Sequence, residues 1–151
     1  MRVLILLGSK SDLEAVKGCG ELLDKFEVPY RLEISSAHRQ PDKTRNLVKE
    51  AEETGAEVII AAAGMAAHLP GVIASLTTLP VIGVPLAGSA LSGVDSLYSI
   101  VQMPAGIPVA TMAIGSHGAK NAAIFAVEIL ALNDDSLKAK LKSYRDELAA
   151  R

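Results

Sequence analysis

Arg2-Val3-Leu4-Ile5-Leu6-Leu7, followed at once by Gly8-Ser9-Lys10-Ser11-Asp12, is the stretch on which the fold turns. Beyond Arg2 the run is wholly aliphatic and offers no polar face to water. A strand of this kind belongs in a parallel sheet covered by helices on both sides. The glycine and the polar residues behind it mark a turn into a helix. Ser11 with Glu14 three residues later has the form of a capping box, and an amphipathic stretch continues to about Phe26 before Pro29 breaks it.

The same unit recurs along the chain. Tyr30-Ile34 alternates as a second strand, after which Pro41 suits a first helical turn and Gly55 a helix end. Val58-Ala62 reads as a third strand, with a helix opening at Pro70 and reaching about Thr77. Val81-Val84 makes a fourth strand, and Leu91-Met103 a helix apolar on most of its faces. Val109-Ile114 is the fifth strand, followed by a helix over Ala119-Leu132, and Asp134 or Asp135 caps a last charged helix ending near Arg151. Five strand-then-helix units with short connections predict an α/β three-layer sandwich: a five-stranded parallel sheet, flavodoxin-like or Rossmann-like, plus a C-terminal helix. No linker, repeat or low-complexity tract interrupts residues 1–151, which are read as one domain. In such sheets ligands bind outside the carboxyl ends of the strands, where strand order reverses.

Composition narrows the partners. The 15 basic and 17 acidic residues leave a formal charge of -2, so no overall basic field recruits nucleic acid or anionic lipid. The 3 Tyr and 2 Phe, with no Trp, give few platforms for stacking single strands. No apolar run approaches the roughly 20 residues that span a bilayer. A lone Cys19 and the absence of a signal-peptide pattern make the cytoplasm the expected compartment. The chain is 50% hydrophobic and only 21% charged. A monomer of this size, which buries roughly two thirds of its unfolded surface, has difficulty hiding that much aliphatic area, so part of the surface is expected to be buried between subunits.

Three loops at strand ends carry chemistry. Ser36-Ala37-His38-Arg39 sets an imidazole, able to gain and lose a proton near neutrality, beside a permanent cation suited to phosphate or carboxylate. A solvated loop histidine and a surface salt bridge are the plain alternative. Gly8-Ser9-Lys10-Ser11-Asp12 offers hydroxyls and exposed N–H groups at a helix start, which attract phosphate, although a Ser near a Gly also occurs at ordinary caps. It matches neither a Walker motif nor a dinucleotide fingerprint, so ATP and NAD are not implied. Asp12 can accept hydrogen bonds from ribose hydroxyls or simply face the positive end of a helix. Ala61-Ala62-Ala63-Gly64, leading to His68, is small enough for a ligand to approach the backbone, or for tight packing alone. His68 can act in a pocket or cap the helix opening at Pro70. His117 reads as a loop residue. The histidines lack metal-ligand spacing and Cys19 is mid-helix, so no metal is expected.

With these residues in hand the chain resembles the N5-carboxyaminoimidazole ribonucleotide mutase family, the class I form of the phosphoribosylaminoimidazole carboxylase catalytic subunit. The likeness runs from Val3 to Leu132. It rests on Gly8-Ser9-Lys10-Ser11-Asp12, on Ser36-Ala37-His38-Arg39 with Pro41-Asp42, on Ala66-Ala67-His68-Leu69-Pro70-Gly71, on Gly83-Val84-Pro85, and on the segment from Ala90 to Pro104. The resemblance implies an isomerase of de novo purine (IMP) biosynthesis that moves a carboxylate between the exocyclic nitrogen and ring carbon C4 of a ribonucleotide, with no cofactor. It implies His38 as the general acid/base, Arg39 with Ser9, Ser11 and Ser36 as the phosphate and substrate set, and Asp12 as the ribose contact. Ala63 and Gly64 match the turn that holds the migrating carboxylate, and His68 matches a pocket histidine of secondary role. A cytoplasmic homo-octamer with sites between subunits is implied as well. The chain departs from the family pattern at Met65, where a glycine is usual, at Ala105 and at Ser116-His117. Two rival readings are direct carboxylation by free carbon dioxide and a non-catalytic phosphate-binding module. Arg39 and the Ala66-Ala67-His68-Leu69-Pro70 pattern count against the first, and His38 against the second.

Overall fold

The computed structural model describes residues 1–150. Val3–Leu7 forms β1, and none of its five residues reaches solvent. Each aliphatic side chain shut away in this manner contributes roughly 1.5–3 kcal/mol relative to exposure. β2 (Tyr30–Ile34), β3 (Val58–Gly64), β4 (Val81–Leu86) and β5 (Ala110–Thr111) complete a parallel sheet in the order β2-β1-β3-β4-β5. The two-residue period of the strands splits the core. Val3, Ile5 and Leu7 pack with α1 (Leu13–Lys25), α5 (Ser116–Ala131) and Leu137 of α6 (Asp135–Ala149), whereas Leu4 and Leu6 pack with α2 (Pro41–Glu53), α3 (Leu69–Ala74) and Ile100 of α4 (Val94–Val101). The result is the expected three-layer α/β sandwich. Among the described residues no helix is long and apolar enough to cross a membrane.

The element ends differ from expectation for identifiable reasons. Ser11 and Glu14 do not form a capping box. The Ser9 hydroxyl accepts from the Ser11 N–H at 3.3 Å and opens a short 3-10 turn over Lys10–Asp12, so α1 starts only at Leu13 with Asp12 at its N-cap. α3 stops at Ala74, where the Ser75 hydroxyl turns back onto the Val72 carbonyl. α4 begins at Val94 rather than Leu91, because Ser92 and Gly93 take left-handed conformations. β5 shrinks to two residues. The Gly83 and Pro85 carbonyls both accept from the β5 side, from Met112 and Gly115, so the proline nitrogen on that side has no proton to donate and the ladder stops.

α5 starts at Ser116, three residues earlier than expected. Gly118 is inside the helix rather than before it, and a Cβ there would run into the Ala113 carbonyl oxygen. His117 is therefore helical, not a loop residue. α6 is capped by Asp134, which accepts from the Leu137 N–H at 3.2 Å and pairs with Arg2 at 2.8 Å. The helix ends at Ala149, close to its expected end near Arg151.

Candidate active site

The carboxyl ends of β1, β2, β3 and β4 bound a single cavity of about 460 Å³. Backbone bonds gather its loops: the Gly8 N–H reaches the Ala62 carbonyl at 3.1 Å, and the Ser35 N–H reaches the Leu7 carbonyl at 2.9 Å. The β1 loop brings Ser9, Ser11 and Asp12 to the cavity wall, and the β2 loop brings Ser36, His38 and Arg39. Ala63 and Gly64 come from the end of β3 and His68 from the loop after it, so all nine residues singled out in the sequence line the same cavity. His117 and Cys19 do not. Burial pushes the Cys19 thiol up to about 12, which removes it as a nucleophile at neutral pH.

The β2 loop is a built turn. Its Gln40 N–H closes onto the Ser36 carbonyl at 2.8 Å, and the Ser35 hydroxyl, fully buried, shares a 2.8 Å bond with that of Thr44 in α2. His38 and Arg39 stand on that anchored turn. The Arg39 backbone N–H and Nε both approach the Ser36 Oγ at 3.4 Å, and no carboxylate pairs with its guanidinium among the described residues. An unpaired cation on a cavity wall is prepared for an anionic ligand.

His38 and His68 meet. His38 Nε2 and His68 Nδ1 are 2.6 Å apart, with the rings edge to face at 85°. Such a bond holds one proton between two imidazoles: it forms when both are neutral or when one is charged, and it cannot form when both are charged. His68 is the N-cap residue of α3 but makes no side-chain cap bond, so its ring serves the cavity and not the helix.

On the opposite wall the Ser11 hydroxyl donates to the Ser9 Oγ at 2.9 Å or to Asp12 Oδ1 at 3.3 Å. Burial raises the Asp12 carboxyl above its ordinary range, although hydrogen bonds from Ser11 and from the Ser9 backbone pull the other way. Ala63 and Gly64, expected in a turn, extend β3 and pair with Pro85 and Leu86 of β4; a Cβ on Gly64 would stand 3.2 Å from the Leu86 carbonyl oxygen, and Met65 and Ala67 beyond it adopt positive φ. His38, Arg39, Met65 and His68 are all exposed, so in a single chain the cavity is open along one side. Gly88, after β4, also lines it and was not anticipated, although the rule that pointed to the other three strand ends applies equally to that one. Among the described residues no group of three or more His, Cys, Asp or Glu side chains is placed to hold a metal ion.

A parallel α/β sheet with an imidazole pair, a free guanidinium and a hydroxyl-rich turn on one cavity defines an enzyme-like site for a small anionic ligand. Comparison with known proteins narrows the class. The family model described as AIR carboxylase matches residues 2–151, and the chain belongs to that family. The N5-carboxyaminoimidazole ribonucleotide mutase of Pyrococcus abyssi (strain GE5 / Orsay) is 54% identical over 147 residues, which are 97% of this chain and 83% of that protein. The Escherichia coli (strain K12) protein of the same name is 55% identical over 144 residues, 95% of this chain and 85% of that one. Among solved structures, the crystal structure of Treponema denticola PurE superposes with a TM-score of 0.89 at 30% identity, covering 98% of this chain and 91% of the other.

The Asp12 carboxyl yields a prediction with a definite sign. A folded-state value above the unfolded one means that the group favours folding at low pH, and that this contribution is lost as pH rises through the folded value. At pH 7 the ionised side chain is a cost, so Asp12→Asn is expected to raise the melting temperature there, with the gain shrinking as pH falls toward 4. The same variant is expected to raise KM for a ribose-bearing substrate. Thermal melts at both pH values and steady-state kinetics check the two halves; a variant less stable at pH 7 contradicts the first.

Proposed function

We propose that this chain interconverts N5-carboxyaminoimidazole ribonucleotide and 4-carboxy-5-aminoimidazole ribonucleotide, a carboxylate migration in de novo purine (IMP) biosynthesis. One observation carries the reading. An acid/base imidazole and an unpaired guanidinium share a small-walled cavity, in a chain more than half identical to proteins named for this reaction.

The reaction gains and loses no net proton, which suits a single cycling histidine. Charged His38 donates to the exocyclic nitrogen as the nitrogen–carbon bond of the carbamate breaks and carbon dioxide leaves. The electron-rich ring carbon C4 then captures the carbon dioxide, forming the new carbon–carbon bond. Neutral His38 removes the C4 proton, which restores aromaticity and recharges the imidazole. Proton transfer by a placed side chain contributes typically ~10²–10⁴-fold. His68, hydrogen-bonded to His38, keeps that ring oriented through the cycle. Arg39, with Ser9, Ser11 and Ser36, binds the phosphate end; Asp12 takes the ribose hydroxyls. The end of β3 at Ala63-Gly64 and the loop after it hold the carboxylate among methyl groups, where dispersal of its charge into neutral carbon dioxide is favoured.

The same reading includes a cytoplasmic homo-octamer with sites between subunits. Two features support an assembly. Val94, Tyr98 and Val101 stand at the three- and four-residue spacing of one face of α4, Tyr98 63% exposed, and Leu91, 62% exposed, lies in the turn just before that helix. The cavity is also open on one side in the single chain. Light scattering at micromolar concentration is expected to return eight times the chain mass, and a stable monomer contradicts this part of the reading.

Activity with the purified carbamate substrate tests the reaction. His38→Asn is expected to fold and to lose ~10²–10⁴-fold in kcat, since Asn keeps polarity without cycling a proton. Arg39→Ala is expected to raise KM roughly 10- to 100-fold with a smaller change in kcat, as loss of a charge-assisted bond made in ground and transition states alike requires. Near-normal turnover of the first variant removes His38 from the chemistry; a normal KM in the second removes Arg39 from phosphate binding.

A further inference from the structure

We infer that Met65 is a specificity-determining residue of this cavity: it covers the open side above Ala63 and Gly64 and retains carbon dioxide between its release and its capture. The inference rests on the function proposed above. Three observations carry it. Met65 holds φ at 56°, a left-handed conformation that disfavours any residue with a Cβ, and Ala67 follows at 21°. Strain of this kind persists only where something repays it. Packing within the chain does not: Met65 is 61% exposed and belongs to neither core cluster, unlike Ala63, Ala67 and Leu69 around it. Its side chain instead lines the cavity, beside Gly64 and along the same open side as His38 and His68.

A glycine at position 65 would remove the strain. Gly64 does not serve that purpose; its lack of a Cβ is used for the close approach to the Leu86 carbonyl. The chain therefore keeps a long, flexible, polarisable side chain at a position where backbone preference opposes it. Where carbon dioxide exists briefly as a free molecule between two bond changes, an apolar cover raises the chance of capture at C4 over escape to water. Escape leaves aminoimidazole ribonucleotide, the decarboxylated base, with the exocyclic nitrogen holding the proton that His38 supplied. Met65 thus sets the ratio of migration to decarboxylation, while His38 and Arg39 set chemistry and binding.

The experiment compares the assembled wild-type protein with Met65→Gly and Met65→Leu, all given the carbamate substrate. The readout is aminoimidazole ribonucleotide released per 4-carboxy product formed, after subtraction of spontaneous carbamate breakdown, with melting temperature and sedimentation measured in parallel. Met65→Gly is expected to release several-fold more decarboxylated base per product while melting no lower than wild type. Met65→Leu, which restores apolar bulk, is expected to return near the wild-type ratio. A wild-type ratio in Met65→Gly overturns the inference and leaves the function standing. A changed sedimentation mass in that variant also overturns it, since the strain is then repaid at a subunit contact. A wild-type protein that forms no product overturns the function itself, and with it this inference.

Discussion

The site depends on β1, a strand sealed from water on both faces and flanked by β2 and β3 in strict parallel register. Because a parallel strand in a doubly covered sheet cannot slip without turning its core side chains to the opposite layer, the carboxyl ends of the three strands are held level. Residues separated widely in sequence are thereby brought onto one cavity. The Gly8-to-Ala62 and Ser35-to-Leu7 backbone bonds extend the sheet's rigidity into the loops, and the buried Ser35–Thr44 pair locks the turn that bears His38 and Arg39 to α2. The fold thus acts as a frame, and its loops supply the chemistry.

Stability and function part company at the cavity wall. Arg39 has no carboxylate partner among the described residues, burial raises the Asp12 carboxyl above its ordinary range, and Met65 and Ala67 occupy backbone conformations that glycine would adopt freely. In the proposed reading, a ligand with a phosphate, a ribose and a carboxylate is what this wall is shaped to meet. Among the described residues the buried polar residues Ser35, Thr44 and Ser96 all have hydrogen-bonded hydroxyls, while Asp95 Oδ1 is buried without a partner.

Much of this was legible in the residues. The aliphatic run of β1, the proline opening α2 and the strand-helix alternation imply the layer order, and the strand-end rule puts His38, Arg39, Asp12 and Gly64 near one another before any coordinates are known. What stayed hidden depends on contacts that spacing does not encode. His38 and His68 lie 30 residues apart, and only the adjacency of β1 with its two neighbours brings their rings together. Gly118 resembles a helix boundary in sequence, yet it is a glycine because the Ala113 carbonyl occupies the space of its side chain. The truncation of β5 follows from which side of β4 the Pro85 nitrogen faces, and the Ser11–Glu14 pair lost its capping role when Ser9 closed the preceding turn.

The central claim is that the carboxylate moves within one cavity, passing through carbon dioxide that does not exchange with solution. A single turnover of unlabelled carbamate in the presence of labelled bicarbonate tests it most directly. The account predicts that the 4-carboxy product carries little label, with controls excluding prior breakdown of the carbamate. Extensive incorporation would mean that the cavity captures free carbon dioxide, and the chain would then be a direct carboxylase.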